Sequence, residues 1–168
     1  MSFLEIFYPN ETIDSTYDIP FAEWKERGYN AVIFDIDNTL VPHGADADER
    51  SLELFIRLKE LGFQTMLLSN NKEPRVKRFN EKIGSEYIFK AGKPGIKNYQ
   101  KAMRMMGTNP KNTLFVGDQL FTDVWGAKRA GIYSILVQPI DPKEEIQIVL
   151  KRYLEKIVLY FYGKQKRK

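Results

Sequence analysis

The sequence predicts an α/β fold: a single three-layer domain over residues 1–168, in which helices cover both faces of a parallel five-stranded sheet. Three observations support this prediction. Short apolar segments alternate with longer segments of helical periodicity. A glycine follows each of four predicted helices, where the left-handed conformation ends a helix without a Cβ clash. With 168 residues, 43% hydrophobic and 29% charged, the chain has the size and composition of one soluble domain.

The elements follow in a regular order. Short apolar segments predict strands at 31–34, 65–68, 87–89, 113–116 and 133–137. Amphipathic segments between them predict helices at 50–61, 73–83, 95–106 and 122–130, each followed by one of the glycines Gly62, Gly84, Gly107 and Gly131. Two further helices are predicted at 20–27 and 142–162. Strand–helix–strand units of these lengths imply right-handed crossovers, and therefore parallel strands.

Polar residues follow the predicted strands, at the edge where ligands bind in parallel sheets. They are Asp35 and Asp37 after the first strand, Ser69 and Asn70 after the second, Lys93 after the third, and Asp118 after the fourth, with Asp123 about one turn later. Carboxylates that share a crevice repel each other unless a cation compensates for their charge. Mg²⁺ prefers oxygen ligands and keeps waters that a phosphate can replace, so this pattern predicts a magnesium and phosphate site.

These residues resemble the four motifs of the haloacid dehalogenase (HAD) superfamily, whose sequence here is Asp35-x-Asp37-x-Thr39, Ser69, Lys93 and Gly117-Asp118-x-x-x-x-Asp123. The resemblance covers residues 30–137. More narrowly, the segments FDIDNTLV, LLSNN, KP and GDQLFTDVWGAKRAG are similar to subfamily IIIA, and within it to the bacterial relatives of mitochondrial phosphatidylglycerophosphate phosphatase. The resemblance implies a HAD-like, Rossmann-like fold and phosphatase activity.

The resemblance also implies a role for each motif residue. Asp35 would attack phosphorus and form an aspartyl-phosphate, and Asp37 would act as general acid and then as general base. Thr39, Ser69, Asn70 and Lys93 would bind the substrate phosphate. The metal ligands would be the Asp35 carboxylate, the Asp37 backbone carbonyl and the Asp118 carboxylate, supported by Asp123. An alternative for Ser69 and Asn70 is that they only cap the following helix.

No cap domain is expected. The segments 41–49 and 71–92 are too short for a folded domain of roughly 50 residues. We therefore expect an open crevice that accepts bulky substrates or is covered by another subunit.

Composition removes several other kinds of site. The chain has no cysteine, which excludes disulfides and thiol chemistry, and one histidine, His43, which excludes a multi-histidine zinc site. We expect His43 to be exposed, with a role in substrate choice at the mouth of the crevice as the alternative. Asp46, Asp48 and Glu49 are interpreted as stabilising the N-terminus of the next helix, with a second metal site as the alternative.

The C-terminal segment 142–168 combines a helix with a basic end. Its apolar residues Val149, Leu150, Tyr153, Leu154, Ile157, Val158 and Phe161 form a helical stripe, which we expect to pack on the sheet. Residues 151–168 contain seven Lys or Arg and one Glu, so anchoring at an anionic membrane surface is the alternative. Cytoplasmic residence, peripheral at the inner face of the membrane if the alternative holds, is the expected location. Specific nucleic-acid binding is not expected, and homo-oligomers are compatible with the sequence.

The predicted function is a Mg²⁺-dependent phosphomonoester hydrolase, with phosphatidylglycerophosphate as the favoured substrate. Phosphatases of soluble sugars, nucleotides or polynucleotide ends are an alternative. A non-catalytic phospho-acceptor similar to response-regulator receivers is a further alternative, although receivers do not need the acid at Asp37.

Overall fold

The computed structural model describes residues 2–141 and 146–167. Its strands are β1 Glu11–Ile13, β2 Ala31–Phe34, β3 Gln64–Leu68, β4 Glu86–Ile88, β5 Thr113–Gly117 and β6 Tyr133–Val137. Its α-helices are α1 Phe21–Glu26, α2 Glu49–Glu60, α3 Glu73–Ile83, α4 Lys97–Met106, α5 Trp125–Arg129 and α6 Ile146–Lys166. Short 3₁₀ turns occur at Phe3–Phe7, Thr16–Asp18 and Pro110–Asn112, and a π-helical turn at Leu120–Val124 precedes α5.

The sheet has the order β1-β6-β5-β2-β3-β4, and all of its strand pairs are parallel. β2 pairs with β3 on one side and with β5 on the other, and Phe34 at its end is opposite Leu67 and Val116. The chain builds the sheet outward from β2 to β4 and then returns to the other side at β5. The carboxyl ends of β2 and β5 therefore form the switch point, where parallel sheets bind their ligands.

Side chains of β2 alternate between two buried layers. Val32 and Phe34 belong to the cluster formed with α1, α2 and α3, whereas Ala31 and Ile33 belong to the cluster formed with α4 and α5. All four residues are fully buried. A strand buried on both faces reads as a continuous apolar run, which is why the sequence identified β2. The α/β three-layer prediction is confirmed, and no cap domain is present in the part of the chain that the structure describes.

The prediction of five strands is wrong by one, because β1 adds a sixth strand at the edge next to β6. This strand is three residues long, too short for its side chains to show an alternating pattern. The start of β1 is held beside β6 by Asn10, whose side-chain oxygen accepts a hydrogen bond from the Ser134 amide at 2.9 Å.

The four predicted helices between the strands are present, and each of the four glycines has a positive φ, from 66° to 80°. Asp48 is the N-cap of α2 and accepts the Ser51 amide at 2.8 Å, as expected for an acidic residue at that helix start. The predicted helix at 122–130 differs, because its first turn is π-helical and only Trp125–Arg129 is α-helical.

The expectation that the apolar stripe of the C-terminal helix packs on the sheet is wrong for most of the stripe, although Val158 packs with Leu136 of β6. α6 does pack on the domain, but through Arg152, Glu155 and Val158, of which the last two are 4% exposed. Most of the predicted stripe faces outward: Leu150, Tyr153, Leu154, Ile157 and Phe161 are 45–64% exposed. The inward face combines the ion pair of Arg152 with Asp118 and an apolar contact, in which Val158 and Leu159 pack with Phe7, Leu120 and Leu136. The predicted positions 142–145 and 168 lie outside the described residues.

Candidate active site

Three carboxylates meet at the switch point. Asp35 directly follows β2, Asp118 directly follows β5, and Asp123 belongs to the π-helical turn after β5. One oxygen from each lies within 4.8 Å of the others, and all three residues are buried. The structure thus brings together side chains 88 positions apart in the sequence, because the ends of parallel strands share one edge.

Lys93 lies among these carboxylates. Its Nζ donates to Asp35 Oδ1 and to Asp123 Oδ1, both at 2.7 Å, and its side chain is 3% exposed. Burial by itself would lower the pKa of Lys93, but the carboxylates of Asp123 and Asp35 raise it above its usual value. Lys93 therefore stays protonated and supplies a fixed positive charge at the centre of the site.

Burial raises the pKa of the carboxyl groups, whereas the positive charges beside them lower it. Desolvation raises the pKa of Asp35 to about 6, against the opposing charge of Lys93. Desolvation also raises the pKa of Asp118 well above its usual range, and the charges of Asp35 and Asp123 add to it while Arg152 opposes it. Such a cluster binds a further cation favourably, because each carboxylate is costly to bury with its negative charge.

The donor set fits a hard divalent cation. Lys93 binds Asp35 Oδ1 and Arg152 binds Asp118 Oδ2, while the other oxygen of each aspartate lies near the Thr39 hydroxyl, at 3.2 Å and 3.1 Å. One hydroxyl carries one proton, so it satisfies one of these oxygens at a time. Carboxylate oxygens are the ligands that Mg²⁺ prefers, and one oxygen from each of the three aspartates lies within 4.8 Å of the others.

Asp37 points to a different set of partners. Its carboxylate accepts hydrogen bonds from the Gly44 amide at 2.7 Å, from Asn71 Nδ2 at 2.7 Å and from Arg75 Nη2 at 2.9 Å. His43 is half-exposed, with Nδ1 4.0 Å from Asp37 Oδ1. The two aspartates of the motif therefore differ: Asp35 belongs to the buried cluster, and Asp37 is 12% exposed at the loop side.

Asn70 and Ser69 contact main-chain groups. Asn70 Oδ1 accepts the Lys93 amide at 2.8 Å, and its Nδ2 donates to the Lys93 carbonyl at 3.2 Å. Ser69 is buried, and its hydroxyl accepts the Asn71 amide at 3.1 Å. The alternative that they cap the next helix is wrong, because the N-cap of α3 is Lys72. Their contact with a substrate phosphate stays a prediction, while Asn70 visibly fixes the backbone that carries Lys93.

Gly117 leaves space for the side chain of Asp123. A Cβ at this position would lie 2.6 Å from the side chain of Asp123. Asp123 Oδ2 accepts the amides of Asp118 and Gln119 at 3.2 Å and 3.1 Å. Glycine is required so that the Asp123 carboxylate can fold back onto the end of β5.

The sequence did not reveal Arg152, which reaches the site from α6. Its Nη2 donates to Asp118 Oδ2 at 2.5 Å, and its Nη1 to the Asp118 carbonyl at 2.6 Å and to Glu155 Oε2 at 3.0 Å. Glu155 Oε1 in turn accepts the Leu120 amide at 2.8 Å. The only available signal was an Arg and a Glu three positions apart within one helix, which is common on exposed surfaces.

Arg75 was also missed. It holds Asp37 through Nε and Nη2, whereas its Nη1 is buried and has no hydrogen-bond partner among the described residues. A buried donor without a partner costs free energy unless water or a ligand satisfies it. One arginine early in a predicted helix gives no indication of this role in the sequence.

Comparison with known proteins agrees with this geometry. The family model of haloacid dehalogenase-like hydrolases matches residues 45–131, which include Ser69, Lys93 and both aspartates after β5. The probable phosphatase YqeG of Bacillus subtilis is 36% identical over 156 residues, which cover 92% of this chain and 91% of that protein.

A second relative is larger. The chloroplastic and mitochondrial phosphatidylglycerophosphate phosphatase 1 of Arabidopsis thaliana is 25% identical over 171 residues, and the match covers 84% of this chain but 47% of that protein. Among solved structures, an uncharacterized protein from Listeria monocytogenes has a TM-score of 0.55 at 19% identity, over 69% of this chain and 84% of that one. This structural likeness concerns the fold.

Proposed function

Because the chain belongs to the haloacid dehalogenase-like hydrolases and is a phosphatase of that family, we propose that it hydrolyses phosphomonoesters through an aspartyl-phosphate on Asp35, with Mg²⁺ as cofactor. The observation that carries this proposal is the meeting of Asp35, Asp118 and Asp123 around Lys93. A fold does not need three buried carboxylates at one edge, whereas phosphoryl transfer needs a nucleophile and a place for charge.

Asp35 is the nucleophile in this scheme. Its carboxylate oxygen forms a bond to phosphorus as the bond to the leaving alkoxide breaks. The Lys93 ammonium, 2.7 Å from Asp35 Oδ1, orients the carboxylate and compensates for charge on the transferring group. Bound Mg²⁺, held by the Asp35 and Asp118 carboxylates and the Asp37 carbonyl, would neutralise negative charge on the phosphoryl oxygens.

Asp37 acts as the general acid and then as the general base in this scheme. It gives a proton to the leaving alkoxide, and the resulting carboxylate later takes one from the water that attacks the aspartyl-phosphate. That attack releases inorganic phosphate and restores Asp35. Gly44, Asn71 and Arg75 orient the Asp37 side chain through hydrogen bonds to its carboxylate oxygens.

We propose a phospholipid-linked phosphomonoester, of which phosphatidylglycerophosphate is the example, as the substrate class. Two observations support it. One relative is a phosphatidylglycerophosphate phosphatase, and α6 presents an apolar and basic face beside the site. The site also has no cap domain among the described residues, which suits a bulky substrate.

The test is phosphate release with Mg²⁺ from four substrates: phosphatidylglycerophosphate, a sugar phosphate, a nucleoside monophosphate and a 5′-phosphorylated oligonucleotide. Asp35→Asn should reduce turnover by at least roughly 10³-fold. Asp46→Asn, which changes an exposed carboxylate paired with Arg78, should leave turnover unchanged.

The substrate that releases phosphate fastest identifies the class. Preference for a soluble phosphate would contradict the lipid assignment alone. Undiminished turnover in Asp35→Asn would contradict the mechanism, and a stable acyl-phosphate without turnover in the wild type would favour a phospho-acceptor.

A further inference from the structure

The outward face of α6 carries exposed apolar side chains from Leu150 to Phe161. Six side chains on this face, which we call the docking face, are 45–64% exposed: Leu150, Tyr153, Leu154, Ile157, Tyr160 and Phe161. Their spacing by three, four and seven residues places them on one side of the helix. Contiguous exposed apolar surface of this kind marks an interaction site, whereas isolated exposed apolar residues do not.

The charge around this face has one sign. Within α6 the sole acidic residue is Glu155, and it is buried against the domain. The basic residues of the described C-terminal segment that are exposed are Lys151, Lys156, Lys164, Lys166 and Arg167. The occupant of the docking face must therefore combine an apolar surface with negative charge.

The aromatic residues suit an interface between water and lipid. Lys156 Nζ lies 5.3 Å from the ring centre of Tyr153, and Lys164 Nζ lies 4.7 Å from that of Tyr160. Such pairs place an apolar ring and a cation at the same depth. Tyrosine rings and lysine side chains are enriched where acyl chains meet head groups, because each has an apolar stem and a polar end.

We propose that α6 binds its docking face to an anionic phospholipid bilayer and lies in the plane of the membrane surface. No helix in the described part of the chain is long and apolar enough to cross a bilayer. A second copy of the chain is the weaker candidate, because a symmetric dimer through this face would set the basic residues against each other. An acidic bilayer supplies both the apolar phase and the countercharge.

The opposite side of α6 leads to the candidate active site. A pocket of about 320 Å³ lies between α6 and the end of β6, and its lining includes Asp118, Leu136, Arg152, Tyr153 and Lys156. Tyr153 belongs to both the pocket and the docking face. Docking would therefore bring Tyr153 and Lys156, at the edge of the pocket, to the membrane surface. Membrane binding itself does not depend on the proposed function, whereas the use of this pocket by substrate does.

The test is sedimentation of the full chain with phosphatidylcholine vesicles, prepared with or without an equal part of phosphatidylglycerol. The wild type should bind the acidic vesicles, and binding should fall as salt screens the charges. Leu154→Glu with Ile157→Glu should weaken binding by at least about tenfold, because charged groups replace apolar ones that would enter the interface. Neither residue lines the pocket, so turnover of p-nitrophenyl phosphate should not change.

The matched control is Ile56→Glu with Met105→Glu, which makes the same changes at exposed apolar positions on α2 and α4. This variant should bind vesicles like the wild type. Equal binding by both double variants, or a wild type that stays in the supernatant, would overturn the proposal.

Light scattering tests the other candidate for the docking face, which is a second copy of the chain. A dimer that Leu154→Glu with Ile157→Glu converts to monomer, without vesicle binding by the wild type, would overturn the proposal in favour of a second copy. Asp35→Asn should still bind vesicles, so a failure of docking and a failure of catalysis are distinguishable.

Discussion

Asp35 and Asp37 are separated by one residue, yet their carboxylates lie in different environments. Asp35 contacts Lys93 inside the buried cluster, whereas Asp37 accepts bonds from a loop amide, an asparagine and an arginine. Alternation along an extended chain sends residues 35 and 37 in similar directions, but the chain turns immediately after β2, and Asn38 has a φ of 62°. This turn gives the two carboxylates separate surroundings.

Asp37→Asn tests the proton role by its dependence on the leaving group. An asparagine keeps the shape but cannot donate a proton to an alkoxide, so turnover of an alkyl phosphate should fall by about 10²–10⁴-fold. p-Nitrophenyl phosphate should be affected much less, because its leaving group departs without protonation. Steady-state rates on both substrates check this. An equal loss on both would instead assign Asp37 to positioning.

The raised pKa of Asp35 predicts a pH dependence of metal binding. Without metal, burial raises this pKa to about 6, so below that pH the carboxyl group carries a proton that a cation must displace. Mg²⁺ affinity should therefore fall as pH decreases through about 6, with proton release on binding. Calorimetry in buffers of different ionisation enthalpy measures both quantities. Asp35→Asn should reduce this pH step and leave the part that Asp118 contributes, because burial raises the pKa of Asp118 as well. Unchanged wild-type affinity at about pH 5 would contradict the prediction.

At the scale of elements, α6 is held to the domain by an ion pair as well as by the apolar contact of Val158 and Leu159. The Asp118 side chain is fully buried, and Arg152 is 15% exposed. Arg152 contacts both the carboxylate and the carbonyl of Asp118, and Glu155 fixes Arg152 from the same helix. The ion pair and the apolar contact lie on the inward side of the helix, so most of its other apolar residues face outward.

Arg152→Met should destabilise the metal-free protein by about 3–5 kcal/mol, because it keeps the side-chain bulk but leaves Asp118 and Glu155 buried without their cation. Mg²⁺ should restore part of this loss by neutralising Asp118. Urea unfolding in EDTA and in Mg²⁺ measures the two values. Arg104→Met, at an exposed position of α4, should change stability by no more than about 0.5 kcal/mol. A similar effect of the two substitutions would contradict this role of Arg152.

At the scale of the whole molecule, the sequence predicted the central sheet and the position of the candidate site. Apolar runs buried on both faces identified the central strands, and the shared edge of parallel strands predicted that Asp35 and Asp118 would meet. Three features escaped prediction because they depend on distant partners: the short edge strand β1, the π-helical turn and the orientation of α6. The periodicity of the sequence shows that α6 is amphipathic. It does not show that Arg152 and Glu155, on another side of the helix, form buried contacts with the domain.

A final prediction concerns the stability of the entire domain. If Asp35 and Asp118 hold Mg²⁺ in the folded state only, the metal stabilises that state by about 2.7 kcal/mol at a concentration 100-fold above its dissociation constant. For a domain of this size the midpoint of thermal unfolding should rise by roughly 5–10 °C. Asp118→Asn should lose most of this increase, whereas Asp46→Asn, outside the cluster, should keep it. Differential scanning calorimetry with Mg²⁺ and with EDTA measures the shift, and an equal rise in Asp118→Asn would show that the cation binds elsewhere.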